Sequence, residues 1–178
     1  MDLAAAPTSP FAPTGPHARL ARLVGRWAGT AKTYLDPNDP SVAETASWEG
    51  TITMLLGGRF LRFVYCSQAM GKPLAGELPV AYEVGERLWR MSWIDSFHTG
   101  GAILVSTSAP AADTNGAPIS AITTYFASEG QPRWGWRTEL DDGPECALWI
   151  RMYNVEPARE ETLAVAIELT RDEARPSA

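Results

Sequence analysis

Two residue types that can carry out acid–base chemistry lie close together in the segment WRMSWIDSFHTGG, as Asp95 and His98. A single carboxylate in an apolar barrel can have a raised pKa and act as a general acid or base, and Tyr82 is the partner that we nominate for it. An aspartate at the end of a strand also caps the following turn through backbone hydrogen bonds. A lone histidine in a glycine-containing loop is typically solvated, with ligand contact as the alternative.

The alternation before Asp95 predicts the direction of its side chain. Trp89, Met91 and Trp93 occupy every second position, and Asp95 continues the series. Because alternate side chains of a strand point to opposite faces, all four are expected on the same, inward face. The sequence therefore predicts that Asp95 is a polar anchor for a small ligand.

The elements that position these residues are one short helix and many strands. Leu20, Leu23 and Val24 have helical spacing behind Pro16, and Gly25 ends the pattern. After it, period-two alternation and turn signals at 8–12-residue spacing are typical of an all-β barrel or sandwich. The predicted strands span 26–34, 43–55, 60–68, 78–84, 87–95, 101–109, 118–127, 133–141, 145–154 and 161–171.

A sheet of about ten strands with one apolar face is expected to close, because closure removes aggregation-prone edges. The predicted fold is an all-β, closed antiparallel up-and-down β-barrel with a short N-terminal helix, and barrels of this size can enclose a ligand cavity. We expect a tail at 1–16, one domain at 17–172 and a flexible C-terminus at 173–178.

Topology predicts a pocket at one rim of this barrel. The loops after odd-numbered strands share the rim opposite the chain ends, so the DSFHTGG loop lies at the mouth, and the MGKPLAGE connection beside it is a candidate lid. Mostly apolar walls with a few polar groups are typical of small-molecule sites. The candidate ligand-binding residues are Tyr65, Ser67, Tyr82, Met91, Trp93, Asp95, His98, Trp134 and Trp136.

Composition excludes several classes of function. A net charge of −6 and a pI near 4.9 argue against nucleic-acid partners. Two histidines and two cysteines, none at ligand spacing, predict no metal site, and the usual catalytic and cofactor-binding motifs are missing, so no cofactor is predicted. Cys66 and Cys146 are expected to be buried free thiols. With no signal peptide or apolar span, we expect a cytoplasmic protein without membrane contact.

An aromatic stripe is predicted on the outer face of the ninth strand. Trp149, Arg151 and Tyr153 alternate with Leu148 and neighbouring apolar residues that are expected to face inward. Exposed aromatic patches are typical of subunit contacts, so this face is the candidate surface of a homodimer.

Several segments resemble a known superfamily and a specific family. The helix running into Gly25-Arg26-Trp27, with Arg171 on the last strand, resembles the lipocalin and fatty-acid-binding superfamily, in which such a Trp and Arg pack at the closed end. The order of six further segments resembles DUF1579, a bacterial family of unknown function. These segments are LVGRW, LLGGRFL, MGKPLAGE, AYE, WIDSFHTG and ELTR, within about residues 18–172.

The resemblance implies a lipocalin-like barrel and no particular reaction. This chain has AYE where the family has GYD, and His98 where members carry a small residue or Met, so the resemblance assigns His98 no role. The leading hypothesis is a barrel that holds a hydrophobic or amphipathic metabolite. The alternatives are a cavity enzyme, an isomerase or hydrolase using Asp95, and a haem-binding barrel, which the lack of histidine in the last strands disfavours.

Overall fold

The computed structural model of the chain describes residues 12–36, 39–110, 118–126, 129–143, 146–158 and 160–172. Residues 1–11 of the predicted tail and residues 173–178 lie outside the described residues, and so does the pair Asn115-Gly116, which is typical of a tight turn. Residues 12–15 form a turn, in which the N–H of Gly15 donates to the carbonyl of Ala12.

The described residues form one short helix and a closed antiparallel barrel of ten strands, which confirms the predicted fold. Each strand pairs with its neighbours in sequence, and β1 pairs with β10 to close the barrel. The elements are α1 Pro16–Arg22, β1 Gly25–Tyr34, β2 Ala43–Leu55, β3 Phe60–Ala69, β4 Lys72–Glu83, β5 Leu88–Asp95, β6 Leu104–Thr107, β7 Ile119–Phe126, β8 Arg133–Asp142, β9 Ala147–Val155 and β10 Glu161–Arg171.

The predicted lid is wrong. β4 begins at Lys72 and not at 78, and it pairs with β3 from Ala69↔Lys72 onward. Met70 and Gly71, both at positive φ, make the tight turn that allows this pairing. The MGKPLAGE segment is therefore part of the barrel wall, because its backbone is hydrogen-bonded in the sheet.

The barrel interior follows the predicted alternation on most strands. Leu61, Phe63 and Tyr65 on β3 are buried, as are Trp89, Met91 and Trp93 on β5. This apolar burial is the main contribution that stabilises the sheet in closed form.

Four side chains, among them the two cysteines predicted to be buried, are more exposed than the sequence pattern suggests. A bulge between Leu163 and Val165 places Leu163 opposite the outward-facing Tyr153, so Leu163 is only half-buried. Val24 is 40% exposed because it follows the end of α1. Cys66 and Cys146 are free but exposed, since Cys66 has outward parity and Cys146 lies in a turn.

Trp27 and Arg171 meet at the closed end, as the superfamily resemblance implied. The Arg171 guanidinium lies 4.6 Å from the Trp27 ring centroid, and its Nη2 donates to the Arg22 carbonyl at 2.7 Å. The indole of Trp27 donates to the Leu23 carbonyl at 2.8 Å. A side chain at Gly25 would collide with this guanidinium, so the glycine permits the contact. Together these contacts anchor α1 against the barrel.

A carboxylate at the end of β8 also holds the helix. Asp142 accepts hydrogen bonds from Arg19 at 2.5 Å and from Arg22 at 3.1 Å. Burial raises the pKa of the Asp142 carboxyl, but the bonds to the two arginines lower it by more, so its pKa lies below the ordinary value. The α1 helix is therefore tied to β8 by charge as well as by apolar packing.

The contact between β6 and β7 is the weakest in the described part of the wall. β6 has four residues, and its pairing with β7 is described at one position, Thr107↔Ile122. β7 continues to Phe126 and pairs with β8 over its whole length. Between Ile122 and Phe126, the backbone groups of β7 that face β6 therefore lack a described strand partner.

Candidate functional site

The Asp95 side chain organises the turn at the mouth of the barrel. It has no exposed surface, and its Oδ1 accepts from the backbone N–H groups of Phe97 at 2.9 Å, Thr99 at 3.2 Å and His98. Its Oδ2 lies 2.8 Å from Nδ1 of His98. These contacts assign Asp95 the turn-capping role. Its role as a ligand anchor stays a prediction, and these contacts do not favour it.

The electrostatics of Asp95 do not suit proton transfer at neutral pH. Burial raises the pKa of its carboxyl, but hydrogen bonds from the His98 ring and from the backbone N–H groups of His98 and Phe97 lower it by more. The net pKa lies below the ordinary value, so the group stays ionised. The raised pKa that the cavity-enzyme alternative requires is not found here.

His98 lies between the Asp95 carboxylate and the aromatic rings of the mouth. Its ring centroid is 5.5 Å from that of Trp93 and 4.9 Å from that of Phe97. The His98 side chain is 33% exposed. When Nδ1 donates to Asp95, Nε2 is left as a hydrogen-bond acceptor at the rim.

Four aromatic side chains cross the upper part of the barrel interior. Trp48 stacks on Tyr65 at 4.6 Å, and Trp93 stacks on Trp136 at 5.6 Å. The indole N–H of Trp93 donates to the Tyr65 hydroxyl and links the two pairs. Burial raises the pKa of the Tyr65 phenol, and the nearby Asp95 charge adds to this, so Tyr65 stays protonated at neutral pH. We call Trp48, Tyr65, Trp93 and Trp136 the aromatic cluster.

The placement of Tyr65 depends on a glycine in the neighbouring strand. Tyr65 pairs with Gly76 of β4, and Gly76 pairs with Asp95 of β5. A Cβ at Gly76 would collide with the Tyr65 hydroxyl, so its absence lets the phenol lie across β4 toward β5. Tyr65, Trp93, Asp95, His98 and Trp136 thereby lie together near the mouth.

Three indole N–H groups are buried without a hydrogen-bond acceptor among the described residues. They belong to Trp48, Trp89 and Trp136. An indole nitrogen only donates, and a buried donor without a partner costs roughly 1–3 kcal/mol. Two of these residues lie in the aromatic cluster. In the sequence, the alternation of Trp48 and Ile52 with Glu49 and Thr51 predicts an inward face for Trp48, but nothing in it indicates that these donors are unpaired.

Tyr82 does not join the predicted site, which corrects the nominated pair with Asp95. Tyr82 pairs with Trp89 near the start of β5, whereas Asp95 is the last residue of that strand. Tyr82 packs edge-on against Trp89 at 5.0 Å and faces the ring of His17 in α1 at 6.3 Å. It shares inward parity with the site but lies at the closed end.

The other candidate residues line the barrel without defined ligand contacts. Met91 is buried on β5, and Trp134 is half-buried near the start of β8. Ser67 donates its hydroxyl to the Ser47 carbonyl at 2.7 Å, so its proton is already used within the wall. The ligand roles of these three residues stay predictions.

Inward residues of β6 to β8 near the mouth are partly exposed. The inward side chains there pair across neighbouring strands, as Trp93↔Leu104 and Thr123↔Trp136 indicate. On these three strands, five inward residues near the mouth are only half-buried, namely Leu104, Thr123, Tyr125, Trp134 and Trp136. Solvent therefore reaches the barrel interior near Trp136.

Two grooves on the described surface lie on the outer wall. One of about 380 Å³ follows the Asp95 turn and is lined by Ala75, Ile94 and Ile103 among others. The other, of about 700 Å³, crosses β1 to β3 beside Arg26 and Cys66. The central cavity predicted from strand number stays a prediction.

The outer stripe of β9 has partners on its own chain. The Arg137 guanidinium lies 4.0 Å from the Tyr153 ring centroid, and that of Arg151 lies 5.6 Å from the Trp149 ring. These contacts satisfy part of the aromatic surface within one chain. The homodimer stays a prediction.

Among the described residues, no three His, Cys, Asp or Glu side chains lie close enough together to hold a metal ion. No helix in the described part of the chain has the length and apolar character to cross a membrane.

The closed ten-strand barrel, its helix-covered end and its Trp–Arg contact define a lipocalin-like β-barrel protein. The family described as Protein of unknown function (DUF1579) matches residues 12–171. Since this match covers most of the chain, the protein belongs to DUF1579. No curated protein matches the sequence.

Proposed function

We propose that this protein binds a small hydrophobic or amphipathic molecule inside the mouth half of its barrel. The observation that carries the proposal is the buried N–H of Trp136, which has no acceptor among the described residues although the residue is only half-buried near the mouth. A bound molecule with an acceptor atom would remove the cost of this unpaired donor.

The surroundings of Trp136 support the same proposal. Trp93 stacks on it at 5.6 Å, and the half-buried Leu104 is paired with Trp93 on the neighbouring strand. Small-molecule sites combine apolar and aromatic walls with a few polar groups, and this region has that composition. Asp95 contributes by holding the turn that carries His98 beside Trp93.

The proposal is tested with N-phenyl-1-naphthylamine, a neutral probe whose emission rises in apolar surroundings. We expect saturable binding with quenching of tryptophan fluorescence. Trp136→Ala should weaken that binding, whereas Trp149→Ala, which changes a tryptophan on the outer face, should not. Linear, unsaturable uptake by the wild type would refute the proposal. Equal affinity of wild type and Trp136→Ala would also refute it.

A further inference from the structure

We infer that the ligand presents a neutral carbonyl oxygen, as in a ketone, ester or amide, to the aromatic cluster, and that carboxylates are disfavoured. This inference rests on the proposed function and adds the chemical class of the ligand. It follows from the donors and acceptors that the barrel interior offers and from the distribution of charge around them.

The unpaired polar atoms of the interior are donors. Trp48 is 4% exposed and Trp89 is 1% exposed, and the indole nitrogens of both, with that of Trp136, lack acceptors among the described residues. Trp48 and Trp136 lie at the two ends of the aromatic cluster, on either side of the bonded Tyr65 and Trp93. A ligand atom that pairs with such a donor must be an acceptor.

The acceptor oxygens of the aromatic cluster and of the mouth turn already take hydrogen bonds. The Tyr65 oxygen accepts from Trp93, and both oxygens of Asp95 accept within the mouth turn. A hydroxyl or amine group placed among these side chains would have to donate to a neighbouring strand instead, where Thr123 and Tyr125 are half-buried. The free Nε2 of His98 belongs to a ring that is 33% exposed, so water can satisfy it at the rim.

Charge argues against a carboxylate in the same place. The arginines of the nearby strands point outward, Arg62 to Glu77 and Arg90 to Glu83. Arg133, at the mouth end of β8, donates to Thr124 on the outer face of β7. Arg171 lies on Trp27 at the closed end. A buried carboxylate without a cation loses several kcal/mol of hydration free energy, whereas a neutral carbonyl with a donor does not.

Charged groups at the rim include Asp95 with its neighbour His98, and Lys72. Asp95 is buried and ionised, and its negative charge disfavours an anion nearby. The His98 ring faces this carboxylate at 2.8 Å. Lys72 has the inward parity of Leu74 but is exposed at the start of β4. Lys72 could therefore pair with an anion only at the rim.

The inference is tested with three ligands of similar length: methyl octanoate, octanoate and nonane. Each displaces N-phenyl-1-naphthylamine from the wild-type protein at pH 8. We expect methyl octanoate to bind roughly 3- to 10-fold more tightly than nonane, the range for one hydrogen bond, and octanoate to bind less tightly than the ester.

Variants that remove the indole N–H but keep an aromatic ring identify the donor. Trp48→Phe and Trp136→Phe keep an aromatic ring, and the ratio of ester to nonane affinity is measured within each variant, so changes in stability cancel. We expect the ratio to fall toward one in at least one of these variants and to stay at the wild-type value in Trp149→Phe. A ratio unchanged in both Trp48→Phe and Trp136→Phe overturns the inference.

The remaining outcomes separate the inference from the proposed function. If octanoate binds more tightly than the ester, and Lys72→Met removes that advantage, the ligand's polar group lies at the rim. This outcome would overturn the inference but not the proposed function. Equal binding of ester and nonane would also overturn it while leaving a hydrophobic binding barrel. Failure of N-phenyl-1-naphthylamine to bind would overturn both.

Discussion

Asp95 illustrates how one buried carboxylate can organise a whole turn. Its two oxygens take hydrogen bonds from three successive backbone N–H groups and from an imidazole, and Thr99 returns a bond from its hydroxyl to the Asp95 carbonyl at 2.9 Å. Charge-assisted bonds of this kind are stronger than neutral ones. They position His98 against Trp93, which places a polar group beside the aromatic cluster.

The first prediction concerns the charge of this cap. Asp95→Asn keeps an acceptor oxygen but loses the charge, so the free energy of unfolding should fall by about 1.5–3 kcal/mol at neutral pH. The pKa of Asp95 is lower in the folded protein, so the charge stabilises the fold above the unfolded pKa, and this stability is lost as pH falls through the folded pKa. Urea denaturation of both proteins at pH 7 and at about pH 3 should show the difference shrinking in acid.

Asp39→Asn is the matched control, because Asp39 also caps its own turn by accepting from the Ser41 N–H, at 2.9 Å, but is fully exposed. Its effect at neutral pH should be the smaller of the two. An Asp95→Asn variant as stable as wild type at pH 7 would show that the carboxylate charge does not stabilise the turn.

At the scale of elements, α1 and the two ends of the sheet form one closing unit. Trp27 of β1, Arg171 of β10 and the carbonyl groups that end α1 bond to one another, and Asp142 of β8 holds the same helix. Cationic groups are favourable near the C-terminal carbonyls of a helix. This unit lies at the opposite end of the barrel from the aromatic cluster and the Asp95 turn.

The second prediction tests this separation. Trp27→Ala removes a side chain that is 2% exposed, and the free energy of unfolding should fall by about 3–5 kcal/mol, as for other large aromatic truncations. Affinity for N-phenyl-1-naphthylamine, measured well below the melting temperature, should stay at the wild-type value. An unchanged melting temperature, or a loss of affinity in folded protein, would contradict this division of roles.

At the scale of the whole molecule, the wall of the barrel is uneven. β1 and β2 pair over ten positions, from Gly25↔Ile52 to Tyr34↔Ala43, whereas β6 and β7 have one described pair. Half-buried interior residues near the mouth, Trp136 among them, lie on that same side. Regions with few paired backbone groups open at low free-energy cost, so the weak contact and the proposed site coincide.

The third prediction is a gradient of hydrogen exchange around the barrel. The amides of Thr123–Phe126 that point toward β6 should exchange much faster than the amides of β2, because they lack a described strand partner. Exchange measured by mass spectrometry or nuclear magnetic resonance would show this difference. Equal protection of β7 and β2 would contradict the unevenness of the wall.

Much of the fold was predictable because strand pleating is a local property. Period-two alternation placed Trp48, Tyr65, Trp93 and Trp136 on the inner face, and turn signals located most strand ends within a few residues. The start of β4 was missed because Met70-Gly71 makes a tight turn that leaves Lys72 free to pair at once with Ala69. The capping role of Asp95 was one of two alternatives, and sequence alone did not distinguish them.

The sequence by itself determined which side chains face the interior, since parity depends only on the pleat of each strand. Only the tertiary structure decided which of them meet, because the register between strands sets the height of each residue in the barrel. That register joins Tyr65, through Gly76, to Asp95, and leaves Tyr82 at the closed end. Unpaired indole donors likewise emerge only when all neighbouring acceptors are in place, since hydrogen bonding depends on distances between distant parts of the chain.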